Sequence, residues 1–260
     1  MLKILKYSIY DLLRSRWSYV YFIFYLLLGF TLLFLNNDMN KAVITIMNII
    51  IVLTPLIGTV FGVMYYYNSK EFTELLLAQP IKRKQIFMGQ YLGISLSLTL
   101  SLVLGLGIPF IAYGLFKSAV IFDFSLLILI GTFLNFIFVA LAYNIALSTE
   151  NKIKGFGYAI LMWLFLAVIY DGLFMISLMT FNEYPLDKFS LVATMLNPID
   201  LSRILILLKL DISALLGYTG AVFKDFLGTN LGAFISFFVL CLWVIIPLFR
   251  MNRKLLKKDF

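Results

Sequence analysis

Six apolar stretches, each long enough for a helix to cross a bilayer, constrain this chain more than any other feature. They run Trp17–Leu35, Ala42–Met64, Tyr91–Phe116, Phe124–Leu147, Phe156–Met179 and Leu231–Phe249, with charged segments between them. A hydrocarbon core about 30 Å thick takes roughly 20 helical residues. A backbone in lipid must also satisfy its own hydrogen bonds, which leaves helices or closed barrels. The expectation is an all-α, polytopic membrane protein with six transmembrane helices in one domain over residues 1–260. Composition agrees: 62% of residues are hydrophobic and 13% charged, whereas a soluble domain carries about 25% charged residues.

The net charge of +8 is unevenly placed. Fifteen of the 21 basic residues fall within residues 1–16, 65–90, 148–155 and 250–260, all on one side of a six-span topology. Short loops rich in Lys and Arg stay in the cytoplasm, so both ends of the sequence are expected inside. Residues 2–14 read as an amphipathic surface helix, with Leu2, Leu5, Ile9, Leu12 and Leu13 on one face and Lys3, Lys6, Tyr10 and Arg14 off it. No secretory signal peptide is expected. A plain positive flank that only sets topology is the simpler alternative.

Catalysis is not expected. There is no histidine and one cysteine, Cys241, so Ser–His and Cys–His pairs, zinc spacings and an internal disulfide are excluded. No G-x-x-x-x-G-K-[ST] phosphate loop occurs. The chain is read as non-catalytic, with no cofactor of its own.

Two polar segments stand out. In residues 65–90, Lys70–Ala78 favours a short helix carrying Phe72, Leu75, Leu76 and Leu77 beside Glu71 and Glu74. Pro80 stops it, and a basic turn, Lys82–Lys84, precedes the next span. Such a helix suits docking into a groove on a cytosolic partner, or packing on its own spans. In residues 180–230, Asn197-Pro198 supplies a cap and a first-turn proline for a helix through Leu201, Ile204, Leu205 and Leu208. A second piece covers Ile212–Leu227. Both are expected at the outer surface or dipping into it, where a seventh span would bury charges.

Glu71 and Glu74, then Leu-Leu-Leu-Ala-Gln-Pro at 75–80, then a basic cluster and a new span resemble the coupling segment of type-2 ABC exporter permeases. Leu-Asn-Pro-Ile-Asp at 196–200, Arg203, Leu210-Asp211, Leu-Gly-Tyr-Thr-Gly-Ala-Val-Phe at 216–223 and the ending at 253–260 are similar to one branch of that family. That branch serves maturation of nitrous-oxide reductase. The resemblance implies a homodimer in the bacterial inner membrane, driven by two copies of a cytosolic ATPase that bind ATP and Mg. It also implies a periplasmic β-helical partner and a role in supplying a copper–sulfur centre. Under it, Glu71, Phe72, Glu74, Leu75, Leu76, Gln79, Pro80 and Arg83 couple to the ATPase. Asn197, Asp200, Arg203, Asp211 and Tyr218 face the outer partner.

Within the spans, Asp171 is the only carboxylate, and a charge at bilayer depth marks a functional position by default. Met175 and Met179 share its helical stripe, and thioethers suit Cu(I). The blander reading is an ion pair with Arg203 or Lys209. The rival function is a self-sufficient transporter or channel using Asp171 as its ion site, but such proteins show repeats and several intramembrane charges. Pro55, Pro109 and Pro247 are expected to bend their helices, as hinges or as fixed bends. Gly58-x-x-x-Gly62 permits close helix approach, within the chain or between copies.

Overall fold

A computed structural model describes residues 2–14, 16–36, 38–181, 186–209, 223, 224, 226 and 228–257. Helix α1 (Leu2–Arg14) is amphipathic as its sequence predicts, but its inner face is centred on Ile4, Ser8 and Leu12. That face packs on the start of α5 (Arg83–Ala112) rather than lying only on lipid. The fit is close, because a Cβ at Gly89 would meet Ile4 and one at Gly93 would meet Ser8.

The spans follow as α2 (Arg16–Asn36), α3 (Met39–Asn68), α5, α6 (Ile121–Ser148), the α7–α8 pair and α11 (Asn230–Lys257). Among the described residues, these six helices are long and apolar enough to cross a membrane, and no strand occurs. α7 (Lys152–Leu164) runs into α8 (Tyr170–Thr180) through one π-helical turn, Phe165–Ile169. Each predicted span lies inside or nearly inside its helix, with ends differing by several residues. α5 starts eight residues before Tyr91, so Arg83 and Lys84 form its first turn rather than a loop. α5 also stops at Ala112, short of Phe116, where Gly114 takes φ 90° to start the turn. α3, α5 and α11 continue through Pro55, Pro109 and Pro247.

α3, α5 and α6 form the centre, with α2, α7–α8 and α11 around them. α3 lies along α6 at Gly58 and Gly62: a Cβ on Gly62 would sit 2.8 Å from that of Ala142 and 3.4 Å from Val139 Cα. The small-residue motif therefore serves contact within the chain. α1, the short helix α4 (Lys70–Leu77) and the end of α11 share the face that holds most of the Lys and Arg, called the basic face below.

Among the described residues between α8 and α11, no single straight helix is long enough to cross. α9 (Asp187–Met195) and α10 (Pro198–Lys209) meet at an elbow bent by 114°. α10 is buried nearly all round, through Ile199, Leu201, Leu205 and Ile206, and packs among α3, α6 and α11. The predicted helix after Asn197-Pro198 is present, and it dips inward; α9 was not anticipated. Most of the second predicted piece, Ile212–Leu227, lies outside the described residues, although Phe223 packs on Ile204.

Candidate functional site

Two surfaces carry the polar and charged groups that the apolar bundle does not account for. The first is α4. Its sequence is too short to be stable alone, so tertiary ties hold it. Gln90 on α5 donates from Nε2 to the buried Thr73 hydroxyl at 2.8 Å, and that hydroxyl donates to the Ser69 carbonyl at 2.8 Å. Phe72 stacks on Tyr7 of α1 with ring centroids 4.6 Å apart. Leu76, Leu77 and Ile81 rest against the main core. These ties split the expected apolar ridge. Phe72 and Leu76 turn partly inward, while Leu75 stands 68% exposed beside exposed Glu71, Glu74, Gln79 and Pro80. Arg83 is also exposed at the start of α5. Lys70 and Glu74 form an exposed i,i+4 pair at 3.8 Å, a geometry that contributes about 0.3–0.5 kcal/mol.

The basic-face ends of the spans are latched nearby. Tyr67 donates its hydroxyl to the Thr149 carbonyl at 2.7 Å, and Lys152 Nζ donates to Asn68 Oδ1 at 2.9 Å. A Cβ at Gly155 would run into the Tyr67 ring.

The second surface is the α9–α10 elbow. Three side-chain hydrogen bonds tie it to two spans, two of them onto its backbone and one from its own Asn197 onto a span. Tyr170 donates to the Ala193 carbonyl at 2.6 Å, Trp243 Nε1 to the Met195 carbonyl at 3.2 Å, and Asn197 Nδ2 to the Leu166 carbonyl at 2.8 Å. Leu166 lies in the π turn, where the disturbed ladder makes a carbonyl available for an outside donor. Leu166 and Trp243 each lie about 20 Å of helix rise from an opposite end of their spans. The elbow therefore sits near mid-depth. Asn197 Oδ1 accepts from the Ile199 amide at 3.1 Å, the cap that its position before Pro198 predicts.

The Asn197 amide also donates to Asp200 Oδ2 at 2.7 Å. Arg203 Nη1 lies 3.0 Å from Asp171 Oδ2 and 3.7 Å from Asp200 Oδ1. Asp171 thus has the Arg203 partner its sequence position suggested. Asp171 and Arg203 are each 28% exposed, whereas Asn197 is 0% and Asp200 5% exposed. Asn197 and Asp200 are thus turned into the bundle rather than toward solvent. Asn197 and Asp200 Oδ2 gain hydrogen bonds there, while Asp200 Oδ1 has only the 3.7 Å approach of Arg203 to offset its burial. Asp211 and Tyr218 lie outside the described residues. Met175 and Met179 point outward from α8, 55% and 79% exposed. Among the described residues no group of three His, Cys, Asp or Glu side chains is assembled for a metal.

Sequence reading missed Tyr7, Thr73, Gln90, Tyr170 and Trp243. All but Tyr7 tie one element to another by a hydrogen bond, and Tyr7 does so by stacking; no spacing within a single helix signals such a tie.

With this geometry in place, similarity to known proteins is informative. The sequence pattern of the ABC-2 family transporter proteins matches residues 8–217. Two curated relatives, from Stutzerimonas stutzeri and Pseudomonas aeruginosa, both carry the name "Probable ABC transporter permease protein NosY". The first is 27% identical over 137 residues, covering 50% of this chain and 49% of the relative. The second is 29% identical over 150 residues, covering 54% and 53%. The chain spans about half the length of the curated relatives it matches. The family pattern itself takes in α4 and the elbow along with most of the bundle, and so the chain belongs to the ABC-2 family of transporter proteins.

Proposed function

We propose that this chain is the membrane-spanning permease subunit of an ATP-driven transporter, with α4 as the element that receives force from a cytosolic ATPase. The observation that carries this reading is the split face of α4. One side is fixed to α1 through Phe72, to α5 through Thr73 and to the core through Leu76 and Leu77, and the other presents Glu71, Glu74, Leu75, Gln79 and Pro80 to solvent. A short helix clamped to the bundle and open outward transmits a push without melting. The basic face is then cytoplasmic, in line with the Lys and Arg bias.

In this reading two copies of the chain form a homodimer in the bacterial inner membrane, and α7–α8, which packs little within the chain, is the flank free for a second copy. Two ATPase subunits like NosF bind ATP and Mg. A β-helical periplasmic protein like NosD meets the outer segment, through Asp211, Tyr218 and their surroundings. The NosY names of the relatives and the similarity at 196–200 and 216–223 support a role in copper–sulfur centre assembly of nitrous-oxide reductase. Asn197, Asp200 and Arg203 act in it by holding the elbow. The rival ion-site reading of Asp171 loses ground because its carboxylate is paired with Arg203.

Co-expression with the cognate ATPase tests the proposal. Glu71→Lys with Glu74→Lys is expected to reduce co-purification of the ATPase at least tenfold while membrane insertion is unchanged, since both side chains are exposed. Unchanged co-purification overturns the reading.

A further inference from the structure

The coupling surface and the elbow leave one large feature unused. α7 and α11 both pack on α6, and between them runs a groove of about 1080 Å³. Leu141, Ile145, Met162, Leu242 and Ile246 make its walls apolar. Met195 and Leu196 of the elbow close its deep end, and Arg250, Arg253 and Lys254 line its end at the basic face. From Trp243, level with the elbow, to Lys254 is about 16 Å of helix rise. That is about half of a hydrocarbon core roughly 30 Å thick, the depth reached by the chains of a single leaflet.

Among the described residues, the charges at the groove's end have no acidic partner. No carboxylate lines the groove, and among the described residues no ion pair involves Arg250, Arg253 or Lys254. Arg253 lies over the Phe249 ring, 4.4 Å from its centroid. Lys254 donates to the Asn144 carbonyl at 2.9 Å and to Ser148 Oγ at 2.5 Å, leaving a third ammonium proton to give. Asn144 lines the groove and is 9% exposed. Its amide nitrogen serves the Ala140 and Pro247 carbonyls, but its Oδ1 has no partner. A buried acceptor of this kind is costly unless a donor meets it.

We propose that this groove binds an anionic glycerophospholipid. Its acyl chain lies along the apolar walls as far as the elbow. Its phosphate sits on Arg250, Arg253 and Lys254, and a head-group hydroxyl donates to Asn144 Oδ1. An apolar slot ending in three cations, with no carboxylate in its lining, is the complement of an amphiphile with an anionic head. The α7–α8 flank left for a second copy contributes only Met162 to the lining, so a copy seated there leaves the groove to lipid. The bound chain would brace the elbow against α6 and α11. The inference does not rest on the ATPase reading.

The chain has three tryptophans, and Trp243 lines the groove. With Trp17→Phe and Trp163→Phe, Trp243 reports the site alone. The protein is reconstituted in phosphatidylcholine vesicles containing a low mole fraction of brominated phosphatidylglycerol or, in parallel, brominated phosphatidylcholine. The expected result is quenching of Trp243 several-fold steeper with the anionic lipid. Replacing Arg250, Arg253 and Lys254 together by Gln should bring it down to the phosphatidylcholine level. Equal slopes for the two lipids overturn the proposal. So does a dimer whose Trp243 neither lipid quenches, which would mean that a second copy covers the groove. The single Arg253→Gln variant, expected to show an intermediate slope, guards against misfolding of the triple variant, as does an unchanged thermal midpoint. No ATPase is needed, so failure here leaves the coupling proposal standing.

Discussion

At the scale of single residues, Arg203 holds the most exposed balance of charge. It lies between Asp171 at 3.0 Å and Asp200 at 3.7 Å. Removing it leaves two carboxylates together in a half-buried site. Removing Asp171 leaves Arg203 with Asp200. Breaking a fully buried pair costs about 3–5 kcal/mol, and the 28% exposure of Arg203 and Asp171 lowers that through solvent screening. Arg203→Leu is therefore expected to destabilise by about 2–3 kcal/mol and Asp171→Asn by about 1 kcal/mol. Thermal unfolding in detergent should show that order, and the reverse order would remove Arg203 from the centre of the network. Asn197→Leu should cost about 2–3 kcal/mol, because it strands the Leu166 carbonyl and Asp200 Oδ2 together. The same measurement checks it, and a loss below that of an exposed control such as Lys70→Ala would contradict the assigned contacts. Of this network, sequence showed that Asp171 needed a partner and that Asn197 capped a helix. It did not show that the cap's amide reaches a π turn 31 residues earlier.

At the scale of elements, the most extensive packing is that of α3 on α6. Gly62 lets the backbones meet where a larger residue would strike Ala142 and Val139. Overpacking a well-filled contact costs about 1–3 kcal/mol, so Gly62→Leu should lower the thermal midpoint, with loss of both Tyr67 and Lys152 latches. Gly107→Leu, where nothing lies within 4 Å of the new Cβ, is the matched control. Equal effects of the two substitutions would show that helix propensity rather than close approach governs the site. The π turn at Phe165–Ile169 belongs to this scale too. It contains no proline or glycine, so nothing local announces it. Its carbonyl at Leu166 is taken by an element from elsewhere in the chain, which is the reason sequence periodicity missed it.

At the scale of the whole molecule, one arrangement has to place the ends of α3, α6 and α11 and the whole of α4 on the same face. Single cysteines at Gln79 and Glu150, in a Cys241→Ala background, should react with an impermeant maleimide from one side of sealed vesicles. A cysteine at Lys117, in the turn after α5, should react from the other. Labelling of Gln79 and Lys117 from the same side would break the topology. The six crossings were legible because the bilayer imposes its thickness on each span separately: every stretch from Trp17–Leu35 to Leu231–Phe249 carries its own signal. The short helix at Lys70 was legible for a similar reason, through its propensity and the stop at Pro80. The sequence by itself thus determined which six segments are long and apolar enough to cross, and which charges stand at their ends. Only the tertiary structure decided that Asn197 and Asp200 turn inward, that Phe72 leans on Tyr7, and that a groove opens between α7 and α11. Those outcomes depend on groups far apart along the chain satisfying each other's hydrogen bonds and filling each other's space, and no local pattern encodes which distant partner is met.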